Sequence, residues 1–281
     1  MDAIIRASVI VFAILIVVSL WGFYSSIRPP KIVSSLTPRD LKMSYEDVAF
    51  TTADGLKLRG WYIPSTNPTG KTVILLHGYP ADKGNILPAL AFLHEDFNLL
   101  LFDFRYLGAS EGSYSTAGAK EVEDLVAAVQ FLKRRGVKEV GVWGFSMGGA
   151  VALMAITKTP EIKAVVSESS YASLEQMALQ LMRIPGLNYA VAYLVGFWAK
   201  LFLGIDLRNV SPAEQVRDST IPILLMHSSA DAVIPFAHAR LLRDALAKNP
   251  RAEFWFHEEF AHGQLATDYR TRVRNFFLKH L

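Results

Sequence analysis

The chain has 281 residues, a net charge of +3 at neutral pH and a hydrophobic content of 51%. Its basic residues are scattered rather than clustered, which argues against a nucleic-acid-binding surface. It contains no cysteine, so a disulfide framework, a thiolate metal site and a cysteine nucleophile are all excluded.

The hydrophobic excess is concentrated at the start. From Ala7 to Ile27 there are 21 residues without a charge, rich in Val, Ile, Leu, Phe and Ala. As a helix that stretch spans roughly 30 Å, the thickness of a bilayer core. Trp21, Phe23 and Tyr24 cluster at one end, where interfacial aromatics belong. Arg6 alone makes a poor signal-peptide n-region, and no small-x-small cleavage site precedes Arg28. The segment is apolar on all sides, unlike the stripe of a surface helix. Residues 1–27 are therefore expected to form an uncleaved single-pass membrane anchor. Pro29-Pro30 ends it, and residues 28–42 read as a linker to a domain over 43–281. Arg28, Lys31, Arg39 and Lys42 follow the span, whereas Arg6 before it is offset by Asp2. Positive-inside counting thus leans towards a cytoplasmic domain.

Within the domain, residues 44–51 and 56–63 read as two strands joined at Asp54-Gly55, a hairpin signal. Strands are expected near 72–77 and 98–103, and a helix near 118–134. Glu139 to Trp143 is a further strand, followed by a small, apolar helix from Ala150 to about 158. A strand near 162–167 comes next. Between Ser170 and Asp218 lies an insertion, about 171–217, with helical stretches Leu174–Arg183 and Tyr189–Leu203. Its Phe197, Trp198, Leu201 and Phe202 suit either plain packing or the underside of a lid over an acyl chain. Strands near 221–227 and 252–257 flank a helix near 236–248. Strands alternating with helices predict an α/β fold with a mostly parallel, doubly wound sheet and ligands at the strands' carboxyl ends.

The chemistry concentrates at such ends. Gly144-Phe145-Ser146-Met147-Gly148 is a G-x-S-x-G between a strand and a helix. There a serine is forced into a tight bend that exposes its hydroxyl, and small neighbours let the backbones pass. A hydroxyl needs a base, and the base needs an orienting acid. Asp231 follows the strand ending at His227. His262-Gly263 follows the strand ending at His257. The other histidines fall within helical patterns (His94, His238), in the terminal turn (His280), in strands (His227, His257) or at a strand end (His77). Alternative acids are Glu168, Asp103 and Glu259. Oxyanion donors are expected from the backbone N–H of Tyr79, where Gly78 permits an unusual backbone angle, and of Met147, the residue after the serine.

Together, the His77-Gly78 loop, the stretch Asp103-Phe104-Arg105-Tyr106-Leu107-Gly108-Ala109-Ser110-Glu111-Gly112 and Gly144 to Gly149 resemble the α/β-hydrolase superfamily. They are most similar to its Bem46-like group, which overlaps the S33 serine-aminopeptidase-like and monoglyceride-lipase-like hydrolases and includes membrane-anchored members. The similarity runs from about Tyr45 to the C-terminus. The usual D-x-R-G-x-G-x-S reading is broken by Tyr106 and Leu107 in a loop bordering the site. The resemblance implies a serine hydrolase, an esterase or lipase acting through an acyl-enzyme, with Ser146, Asp231 and His262 as catalytic triad. No metal and no organic cofactor is expected. The chain carries no Walker loop, no G-x-G-x-x-G after a strand and no H-E-x-x-H. With an apolar insertion and an anchor, the expected substrates are lipid-like or acylated esters or thioesters. The rival readings are a peptidase with the same residues and a non-catalytic membrane scaffold.

Overall fold

A computed structural model describes residues 2–67, 70–181 and 188–281. The long N-terminal helix is α1 (Asp2–Ile27), followed by β1 (Glu46–Thr51), β2 (Lys57–Ile63), β3 (Thr72–Leu76), α2 (Lys83–Leu90) and β4 (Asn98–Phe102). Next come α3 (Glu121–Arg134), β5 (Val140–Phe145), α4 (Met147–Ala155) and β6 (Ile162–Glu168). The insertion carries α5 (Leu174–Leu181), α6 (Asn188–Leu203) and the short α7 (Pro212–Gln215). The chain closes with β7 (Ile223–Ser228), α8 (Ala237–Ala245), β8 (Ala252–His257) and α9 (Tyr269–His280).

The eight strands make one sheet in the order β1-β2-β4-β3-β5-β6-β7-β8. The pairs β1–β2 and β2–β4 are antiparallel. Every pair from β4 onward is parallel. Side chains alternate across the sheet. Ile74 and Leu76 join the core under α3, α4 and α8, whereas Val73 and Leu75 join the core under α2 and α9. Both faces are thus covered, and strands such as β3 are buried along their whole length, as a doubly wound sheet requires.

One local expectation needs correcting. Thr51 pairs with Lys57, so the β1–β2 connection is a wider loop than a two-residue turn at Asp54-Gly55. Asp54 is instead recruited by Arg105, whose Nη1 donates to it at 2.8 Å. The helix expected over Leu174–Arg183 is present from Leu174 to Leu181, and Met182 and Arg183 lie outside the described residues. The segment expected as a linker makes two contacts with the domain. Tyr106 donates from its hydroxyl to Pro29 O at 2.9 Å, and the Ser34 N–H donates to Asp82 Oδ2 at 2.6 Å.

The N-terminal helix is exposed over most of its length, apart from two positions in its C-terminal half. Ser19 and Phe23 are buried. Phe23 packs with Val191, Val195 and Ala199 of α6, and the Trp198 indole N–H donates to Ser19 Oγ at 3.0 Å. Burying a phenylalanine is worth about 1.5–3 kcal/mol, enough to fix the last turns of α1 on the insertion.

Candidate active site

Ser146 sits between β5 and α4 with φ 55 and ψ −117, far from any region a serine favours. Such a conformation costs about 1–3 kcal/mol and persists only if the surroundings impose it. They do. The Ser146 N–H donates to Glu168 O at 2.8 Å, and Ser146 O accepts from the Ala150 N–H at 3.1 Å. A Cβ on Gly148 would lie 2.6 Å from Leu76 O and 2.7 Å from His77 O, and one on Gly144 would collide with the Gly148 carbonyl. The crowded glycines let α4 press against β3 and β5, and that crossing forces the bend.

The acid and the base arrive on two neighbouring loops. Asp231 follows β7 and is buried. Its Oδ1 accepts from the N–H groups of Val233 at 2.9 Å and Ile234 at 2.8 Å. Its Oδ2 meets His262 Nδ1 at 2.6 Å. Burial pushes this carboxyl up, but the His262 hydrogen bond and the Ile234 N–H more than reverse the effect and hold it below its ordinary value. Asp231 is therefore ionised and acceptor-only, so His262 Nδ1 carries the proton that joins them and Nε2 is the ring nitrogen available for the base role. The His262 ring packs against Phe145, with centroids 4.6 Å apart and the planes tilted by 42°. Among the described residues, the hydrogen bond made by the His262 ring is the one to Asp231, and none joins it to the Ser146 hydroxyl. Such bonds commonly tighten only when substrate binds.

On the other side, the Gly78 loop closes on the serine. A Cβ at Gly78 would lie 3.3 Å from Ser146 Cβ and 3.0 Å from Phe145 Cδ1. Gly78 does not adopt a positive φ, so the glycine supplies room here, not the unusual angle expected of it. Orientation comes from His77. Its Nδ1 donates to Gly78 O at 2.7 Å while Nε2 accepts the Phe104 N–H at 3.1 Å. Burial keeps this ring neutral by pulling its pKa down, as accepting at Nε2 demands. Gly78 O and the Tyr79 N–H belong to one planar peptide unit and point in opposite directions. Holding the carbonyl inward therefore turns the N–H outward. The Met147 N–H is in the first turn of α4 and has no intrahelical partner.

The family model for the alpha/beta hydrolase fold matches residues 71–229, more than half of the 281 residues. The chain belongs to the alpha/beta hydrolase family. Among its relatives, YfhR of Escherichia coli strain K12 is 34% identical over 219 residues, covering 74% of this chain and 70% of that protein. Thiohydrolase aneE of Aspergillus aculeatus is 34% identical over 140 residues, covering 47% of this chain and 43% of that protein. The Pyrococcus furiosus esterase Pf2001 superposes with a TM-score of 0.76 and 31% identity, over 91% of this chain and 98% of that one.

In this alpha/beta hydrolase several of the competing groups are engaged away from Ser146. His238 is buried between the Ala172 N–H and Gln180 Oε1, and burial lowers its pKa to about 4. Asp103 binds Lys83 Nζ at 2.6 Å and the N–H groups of Lys83 and Ala109. Glu168 accepts from the Tyr269 hydroxyl at 2.7 Å, and Glu259 is exposed. His77, expected from the sequence to shape the loop before Gly78, orients the Gly78 peptide, whereas Glu168, whose backbone carbonyl braces Ser146, escaped the sequence reading. A histidine directly before a loop glycine was the signal for the first. Nothing local marked the second, because its role is carried by its backbone.

Proposed function

We propose that this hydrolase cleaves carboxylic esters or thioesters of lipid-like or acylated compounds through an acyl-enzyme, with Ser146, Asp231 and His262 as its triad. The observation that carries the reading is the 2.6 Å Asp231–His262 pair, whose ring rests on the residue preceding a strained serine. Esterase Pf2001 and thiohydrolase aneE, by their names, act on the same two bond classes.

The steps follow from those roles. As Ser146 Oγ attacks the acyl carbon, His262 Nε2 takes its proton and the carbonyl π pair moves onto oxygen. The N–H groups of Tyr79 and Met147 receive that oxyanion. The tetrahedral adduct collapses, the C–O or C–S bond breaks, and His262 returns the proton to the departing alcohol or thiol. Water, deprotonated by His262, then releases the carboxylic acid and restores the serine. Asp231 holds the tautomer and stabilises the imidazolium throughout.

The long apolar helix α1 serves in this reading as a retained membrane anchor, with the domain on the cytoplasmic side. Its docking onto α6 favours retention over cleavage, and Arg28, Lys31, Arg39 and Lys42 on the domain side favour that orientation. A C-terminal reporter that fluoresces only in the cytoplasm tests the topology, and a dark but expressed fusion would reverse it. For the chemistry, the full chain should label with a fluorophosphonate probe and the Ser146→Ala variant should not. Equal labelling of both would remove Ser146 as nucleophile. Release of free amine from small peptides without ester cleavage would shift the reading to a peptidase.

A further inference from the structure

Helix α6 turns a wide apolar face outward. Tyr189, Tyr193, Phe197 and Leu201 recur every four residues, and each is more than half exposed. That spacing puts them on one side of the helix. From Tyr189 to Ala199 the helix carries no charge. Its other side, with Val191, Val195 and Ala199, is buried in an apolar cluster with Phe23 of α1. A contiguous apolar patch of this kind on the outside of a protein marks a surface that meets a partner. The register against α1 identifies the partner. Trp198 binds Ser19, and Phe202 packs on Phe23 with ring centroids 6.0 Å apart. A step of four residues along α6 matches a step of four in the same sense along α1, so the two helices run side by side in one direction. The Ile27 end of α1 is fastened to the domain, where Ile27 O accepts the Ser115 N–H at 2.8 Å. Followed back from Trp198 to Tyr189, α6 therefore runs outward from the domain beside the middle of α1. There Val11, Phe12, Ile14 and Val18 are exposed, and Leu15 joins the shared cluster.

We infer that α6 is a second membrane helix, with its Tyr189–Leu201 face against the lipid of the leaflet nearest the domain, and that an α1–α6 pair holds the chain on the bilayer. The inference rests on the reading of α1 as a retained anchor. Three features support it. Any bilayer that surrounds α1 from Leu15 to Ser19 also meets the outer face of the helix lying next to it. Ser19, a polar residue within the apolar run, donates its hydroxyl to Ile16 O at 3.0 Å and accepts from the Trp198 indole. Both polar groups are thereby satisfied, as hydrocarbon demands, and the bond between them is of the kind that joins membrane helices. Lys200, the first charge reached along α6 from Tyr189, has an exposed side chain. It lies near the end of the helix closest to the domain, where its long stem lets the ammonium reach the headgroups. A pair of helices also denies the domain the free swing that a single tether would allow, so the insertion rests against the membrane.

The chain has no cysteine, so a single introduced cysteine can carry a polarity-sensitive NBD probe without background. Full-length Tyr193→Cys and Phe197→Cys proteins, labelled and reconstituted in phosphatidylcholine vesicles with nitroxide-bearing acyl chains, provide the test. Phe12→Cys, on the exposed part of α1, reports on the anchor, and Leu241→Cys, exposed on α8, reports on water. Thermal melting checks that each variant is folded. Probes at 12, 193 and 197 should lose most of their fluorescence to the nitroxide lipid, and the probe at 241 should keep its own. Quenching at 12 with none at 193 and 197 would overturn the inference and leave the anchor in place. Quenching at 193 and 197 with none at 12 would keep α6 in lipid and remove α1 as the anchor. Cysteines at 193 and 197 that lipid leaves unquenched, but that form disulfides between copies, would assign the face to a protein interface and overturn the inference.

Discussion

Tyr79 donates its hydroxyl proton to the carbonyl of Ser26 across 2.7 Å, tying the loop beside Ser146 to the last turn of the N-terminal helix. Tyr79→Phe removes that bond and nothing else of bulk. A single hydrogen bond of this kind contributes about 1 kcal/mol, so the melting temperature should fall by roughly 2–4 °C. Ester turnover should fall several-fold through looser placement of the Tyr79 N–H. A variant with parental melting and turnover would show the tie to be idle.

Ser146 is held at φ 55, which glycine adopts freely. Relief of roughly 1–3 kcal/mol of strain exceeds the roughly 0.4–1 kcal/mol of extra chain entropy that a glycine brings to the unfolded state. Ser146→Gly should therefore melt a few degrees higher than the parent while losing ester hydrolysis altogether. Calorimetry settles it, and a lower melting temperature would mean that the bend is not strained.

Asp231→Asn replaces an acceptor with an amide that can donate to His262 Nδ1. That flips the tautomer, leaves Nε2 protonated and should cost about 10⁴ in kcat. Stability changes too, on the acid side. The folded-state pKa of Asp231 lies below its ordinary value, so its contribution is present above that ordinary value and is lost as pH falls through the depressed one. Acid unfolding of Asp231→Asn should be correspondingly shallower, read by circular dichroism between neutral pH and pH 2 to 3.

Glu168 behaves in the opposite sense. Burial raises its pKa to about 7, against the hydrogen bond from Tyr269 and with help from the Asp231 charge. A raised value means that its contribution is full below the ordinary glutamate value and is lost as pH rises towards and past 7. The loss reaches about 3 kcal/mol at most. Glu168→Gln keeps an acceptor for Tyr269 and cannot ionise. It should melt higher than the parent at pH 8, and the gap should close near pH 4. Parallel pH curves for the two proteins would place the ionised Glu168 carboxylate at no disadvantage.

Sequence reasoning located the fold because its strands and turn residues obey local rules. β5, Ser146 and α4 are adjacent in the chain, and the glycines around them report a close crossing that the structure contains. The approach of Asp231 and His262 was legible only as chain order after strands, since their meeting depends on β7 and β8 pairing side by side. Other features were hidden. Pro88 inside α2 masks a helix that its capping box at Asp82 starts firmly. In α9, Tyr269, Val273, Phe276 and Phe277 are buried at helical spacing, but arginines interleave with them. The docking of α1 on α6 was not readable, because a helix apolar on all sides carries no mark of the face that will meet protein.

The seam between α1 and α6 carries a practical corollary for handling the molecule. Trimming the first 27 residues for solubility would strip Phe23 from Val195 and Ala199, leave the Trp198 indole without Ser19 and deprive Tyr79 of Ser26. A shortened protein would not be the same catalyst freed of a tether but one with an opened flank, and its preference among esters would describe the amputation as much as the enzyme.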